Sequence, residues 1–100
     1  MPEMTFALRW PDGRVEECYS PSLVVHDFLT AGSSYTVADL TSRTTTALGI
    51  ASDRVREKFG FACTSAAATT EQVRRSAASY APDDLVEVLS LHPPLPQESR

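Results

Sequence analysis

The chain reads as an α+β domain of order β-β-α-α-β, a three-stranded sheet with two helices packed on one face. Three observations predict it. Apolar residues alternate with polar ones at the start, recur at three- and four-residue steps through the middle, and form a short aliphatic run near the end. The composition agrees, since 42% hydrophobic and 22% charged residues is the balance of a soluble globular domain. A chain of 100 residues buries roughly two thirds of the surface it exposes when unfolded, enough for one core and no second. A single domain is therefore expected over residues 1–92, followed by a mobile, proline-rich tail at 93–100.

The first strand is carried by Met4, Phe6, Leu8 and Trp10 alternating with Thr5, Ala7 and Arg9. Pro11-Asp12-Gly13 then turns the chain, with Pro fixing φ, Asp tolerating the next position and Gly supplying a positive φ. A three-residue loop places Leu8 across from Glu16 and Phe6 across from Cys18, which turns Cys18 inward and Val15 to the other face. A two-residue loop would turn Val15 and Tyr19 inward instead, and both registers stand at this point. Between Ser20 and Ser34 the apolar run Leu23 to Leu29 fits either an extended segment or a short helical turn.

Thr36-Val37-Ala38-Asp39 is a weaker form of the capping box, because the Thr36 hydroxyl can accept an orphan amide hydrogen and Asp39 sits at the positive end of the helix dipole. Val37, Leu40, Thr44, Ala47, Ala51, Val55 and Phe59 form one stripe, and Gly60 is a natural stop. The spacing predicts one helix over 37–59, although Gly49 and Thr44-Thr45-Thr46 are poor helix formers and a break near 49–51 is the alternative. Ala66, Thr70, Val73, Ala77 and Tyr80 define a second helix at about 65–80, rich in alanine and ended before Pro82. Leu85 to Leu91 predicts the third and central strand, buried on much of both faces. The open side of the sheet is left to solvent, to the 20–34 segment or to another subunit.

The charge narrows the function. Nine Lys and Arg against 13 Asp and Glu give −4, which disfavours nucleic acid and anionic membranes as partners. No apolar run approaches the ~20 residues that span a bilayer, and the start lacks a basic secretion signal, so a cytoplasmic protein is expected. Two cysteines are too few for a disulfide framework. Cys18, His26, Cys63 and His92 lack the close pairing of zinc ligands, so no metal is expected. No phosphate-cradling glycine loop or nucleophile elbow is present, and neither a cofactor nor a catalytic set is assigned. Adjacent His26 and Asp27 would point apart in an extended segment, so they make no dyad. Two candidates remain. Cys63 precedes the second helix, where amide hydrogens and the dipole can lower a thiol pKa, yet Phe61, Ala62 and Ala66 also suit a buried, inert residue. Arg43, Arg54 and Arg56 lie on a charged side of the long helix, which is either a solvated face or a contact for an anion or acidic partner.

Several stretches carry a resemblance: Met1-Pro2-Glu3-Met4, Arg9-Trp10-Pro11-Asp12-Gly13, Cys18-Tyr19-Ser20-Pro21-Ser22-Leu23-Val24-Val25, and Ile50-Ala51-Ser52 through Arg54-Val55-Arg56 to Lys58-Phe59-Gly60-Phe61-Ala62-Cys63. Over roughly residues 1–91 the chain resembles the small nitrogen-starvation-response proteins of bacteria, whose genes tend to cluster with a nitrilase, a radical-SAM protein, an acetyltransferase and a flavoprotein. Thr44-Thr45-Thr46 departs from the charged composition that the resemblance implies there. The resemblance implies a role in acquiring nitrogen from nitriles or related compounds, as an accessory to the enzymes encoded beside it.

Whether the protein is an enzyme is left open by the residues. The leading reading is a non-enzymatic accessory or partner-binding protein, with its partners encoded in the nitrilase cluster. The second is a small thiol-dependent enzyme or carrier using Cys63 with Arg54 or Arg56. A third is a homodimer that binds a small ligand at its subunit interface.

Overall fold

The computed structural model describes residues 3–60 and 64–93. Strand β1 (Met4–Arg9) turns into β2 (Val15–Ser20), a 3-10 turn follows at Leu23–Asp27, and β3 (Ser34–Thr36) leads into helix α1 (Val37–Phe59). Helix α2 (Thr64–Ala77) and strand β4 (Leu85–His92) complete the order. The strands lie as β2-β1-β4-β3, every neighbouring pair antiparallel.

The sheet thus has four strands, not the expected three. The missing one is Ser34–Thr36, which pairs with Glu87, Val86 and Leu85. Three residues are too few to show an alternation, and what makes them a strand is the exposed edge of β4 beside them. Strand β4 is central as expected, joining β1 to β3, but it is not covered on both faces: Val86, Val88 and Leu91 are buried, while Leu85 is 61% exposed.

The hairpin adopts the three-residue loop. Gly13 takes φ 92°, its amide donates to the Trp10 carbonyl at 2.8 Å, and the Trp10 amide donates to the Arg14 carbonyl at 2.8 Å. Phe6 therefore faces Cys18 and Leu8 faces Glu16. Between β1 and β4 the register shifts at Ala7/Leu8, which pair with Ser90 and Val88 and leave Leu89 as an extra residue. This bulge returns Leu91 to the core side, where a strict two-residue period from Val88 would have turned it outward.

Helix α1 is unbroken across Gly49 and keeps the expected bounds. The Thr36 hydroxyl accepts the Asp39 amide at 3.1 Å. At the other end Gly60 takes the left-handed conformation at φ 82° and its amide donates to the Arg56 carbonyl at 2.8 Å. Of the expected stripe, Val37, Leu40, Thr44, Ala47, Ala51 and Val55 are buried while Phe59 is 52% exposed, and Val37, Leu40, Ala47 and Ala51 share one core with Phe6, Leu8, Trp10, Val86 and Val88. A fully buried aliphatic or aromatic side chain contributes about 1.5–3 kcal/mol by leaving water. Helix α2 ends at Ala77 rather than near 80, and Ala78, Ser79 and Tyr80 continue as turns. The segment between Ser20 and Ser34 resolves into the helical alternative: Val24, Val25 and Leu29 join the same core, and the Ser22 hydroxyl accepts the Val24 amide at 3.3 Å.

Candidate functional site

Both helices cover one side of the sheet, so the functional groups fall into three places: the hairpin beneath α2, the flank of α1, and the open side of the sheet. Residues 94–100 of the tail expected at 93–100, and the candidate thiol Cys63, lie outside the described residues.

The hairpin holds the densest chemistry. Glu16 shares the inward side of β2 with Cys18 and Ser20, so its carboxylate enters the seam between the hairpin and α2. It accepts from Trp10 Nε1 at 2.9 Å, Gln72 Nε2 at 2.7 Å, Ser76 Oγ at 2.6 Å and Arg14 Nη1 at 3.4 Å. Burial alone would raise its pKa, but these four donors outweigh it and hold the carboxyl below the usual carboxylate range. The indole of Trp10 stacks on Tyr80, with centroids 5.5 Å apart and planes 8° apart. Asp12 accepts the Arg14 amide at 3.0 Å and is drawn below the usual carboxylate range by that bond and by the Tyr80 hydroxyl. Gln72 also donates to the Glu17 carbonyl at 3.2 Å, which covers the middle of the β2 edge. Four donors saturate one carboxylate, so the cluster is built to dock α2. The signal for it was an acidic residue in the inward phase of an apolar strand.

The arginines of α1 do not converge. Arg43 donates to Asp39 Oδ2 at 3.0 Å and to the Phe28 carbonyl at 3.0 Å, and its guanidinium lies 5.0 Å from the centre of the Tyr35 ring. Arg54 donates to the Ser22 hydroxyl at 3.3 Å. Arg56 pairs with Asp53 at 3.5 Å. Arg43 and Arg54 share a side of the helix but sit about 16 Å apart along it, and Arg56 projects from the opposite side.

Cys18 is buried, and burial, with Glu16 and Glu17 nearby, pushes its thiol up to about 12, so it is a core thiol rather than a nucleophile. His26 Nε2 bonds the Pro93 carbonyl at 2.9 Å and tethers the end of β4 to the 3-10 turn. Among the described residues, no three His, Cys, Asp or Glu side chains gather as a metal ion would require.

The open side of the sheet presents cross-strand rows. Tyr19, Thr5 and His92 form one, Glu17, Ala7 and Ser90 the next, and Val15, Arg9 and Glu87 the third. Val15 and Leu85 are 56% and 61% exposed. Arg9 is drawn to Glu87 at 3.3 Å, and Tyr19 donates to Glu3 at 2.7 Å. A concavity of about 460 Å³ lies at the Tyr19 end, between Glu3, Thr5, His92 and Pro93.

The family model described as nitrogen starvation-induced protein NitG matches residues 5–91. The chain belongs to the NitG family. No curated protein and no solved structure matches it. The stretch shared with NitG runs from the second residue of β1 to the last but one of β4. The Glu16 cluster, both helices and the open sheet side therefore all belong to the NitG unit. Among the described residues no helix is long and apolar enough to cross a membrane.

Proposed function

We propose that this NitG protein is a non-enzymatic accessory in the acquisition of nitrogen from nitriles or related compounds, and that it binds a protein partner through the open side of its sheet. The observation carrying this reading is the contrast between the two sides: the polar groups beneath α2 are saturated by one another, whereas Val15 on the edge strand β2 and Leu85 on β4 stand in solvent. Arg9 of the third row is already paired with Glu87, and Glu17 is exposed. A complementary partner surface is apolar with a basic rim. The enzymes of a nitrilase gene cluster are the partners to test.

The tagged protein, expressed in nitrogen-starved host cells, is expected to recover the neighbouring nitrilase, flavoprotein or radical-SAM protein. A Val15→Lys/Leu85→Lys variant is expected to recover none of them. Recovery of no neighbour by the wild type, or equal recovery by the variant, refutes the reading. Cys63→Ser is expected to leave growth on the nitrile intact, and loss of growth by a folded variant would favour the thiol-dependent alternative.

A further inference from the structure

The outer surface of the helical layer carries a second, independent feature. Two concavities, of about 430 Å³ and about 350 Å³, follow the seam between α1 and α2, and Arg74 lines both. On the α1 side the seam is bordered by Thr41, Thr45 and Gly49, and a Cβ added at Gly49 would meet open space. The small side chains leave the trough open to the ridge of a neighbouring helix.

Along α2 and the turn that continues it, the exposed residues of this trough are Ala67, Glu71, Arg74 and Ala78. Among the described residues, Glu71 and Arg74 form no ion pair and no side-chain hydrogen bond. The order is self-complementary about its centre: an acid and a base flank the midpoint, and an alanine lies four residues beyond each. A two-fold axis through that midpoint sets Glu71 against Arg74 of the partner subunit, twice, and Ala67 against Ala78 of the partner subunit, twice. An isologous contact requires this kind of symmetry, and alanines at the two flanks let antiparallel helices approach closely. The molecule measures 38 × 35 × 17 Å, so each broad face exceeds the roughly 800 Å² that a specific contact buries on each partner.

We infer that the protein forms a two-fold dimer through the outer trough of α1 and α2, held in register by reciprocal Glu71–Arg74 pairs. The dimer leaves the open side of both sheets outward, so self-association and partner binding use opposite surfaces.

The test is sedimentation velocity on Glu71→Arg, Arg74→Glu and their equimolar mixture, with circular dichroism to establish that each variant is folded. The wild type is expected to dimerise reversibly. Each single reversal places like charges together across the axis and is expected to weaken self-association at least about tenfold. Mixed together, the two variants restore both opposite-charge pairs and are expected to form a heterodimer. A Glu71→Arg/Arg74→Glu double variant should dimerise with itself. A wild type that stays monomeric up to about 1 mM, where even weak association registers, overturns the inference. So does a dimer indifferent to the single reversals, or a mixture that does not associate. None of these readouts involves Val15, Leu85 or a cellular partner, so the dimer and the proposed function fail separately.

Discussion

The two helices are fastened to the same sheet by different physics. Helix α1 buries a continuous apolar stripe, and its hold on the sheet is nondirectional. Helix α2 buries only Ala66, Thr69, Val73 and Ser76, too little apolar surface to fix its position. Its register comes instead from Gln72 and Ser76 donating to Glu16, with Tyr80 stacked on Trp10 just beyond its end. The first attachment supplies stability and the second supplies orientation, and only the second contains a group that titrates.

The contrast can be broken from either side. Leu40→Ala leaves a cavity under α1 and is expected to cost about 3 kcal/mol, by the same amount near pH 7 and near pH 4.5 in urea unfolding. Glu16→Ala strands the Ser76 hydroxyl and the Trp10 indole N–H and is expected to cost about 2 kcal/mol near neutral pH. Because the folded state lowers the Glu16 pKa, its stabilisation is complete above the usual carboxylate range and is lost as pH falls through the folded value. The Glu16→Ala variant should therefore lie closest to the wild type at acid pH, and a deficit independent of pH would show that the carboxylate charge is not what holds α2.

Two smaller changes sharpen the account of α1. Thr44 is wholly buried and, among the described residues, its Oγ1 has no hydrogen-bond partner. Thr44→Val keeps the shape, removes the stranded hydroxyl and is expected to raise stability by about 1 kcal/mol. Gly49→Ala adds a methyl group to open space within a helix and is expected to add about 0.5–1 kcal/mol. Chemical denaturation at dilute protein concentration, which keeps self-association out of the balance, measures both.

Much of α1 was legible because its signals are local: Thr36 and Gly60 mark its ends and the apolar stripe stays in phase between them. The hairpin was legible down to two registers, and the turn at Gly13 chose between them. What could not be read depends on contacts distant in sequence. Ser34–Thr36 is a strand because Leu85–Glu87 lies beside it. Ser76, not Ala77, turns fully inward because Glu16, sixty residues earlier, accepts its hydroxyl. Arg43 and Arg54 share one flank of α1 while Arg56 projects from the other, and the carbonyl of Phe28 and the hydroxyl of Ser22 that occupy the first two come from the segment whose conformation periodicity could not decide.

The position of β4 has a consequence for biosynthesis. Among the described residues the last strand in the chain is the one that joins the β1–β2 hairpin to β3, and those two pieces share no ladder of their own. On the ribosome the amino-terminal hairpin and the helical pair emerge first, with the hydrophobic gap between them still waiting for Val86, Val88 and Leu91. A nascent or truncated chain ending before residue 85 would expose that gap, making it a natural substrate for chaperones and proteases rather than a smaller version of the folded protein.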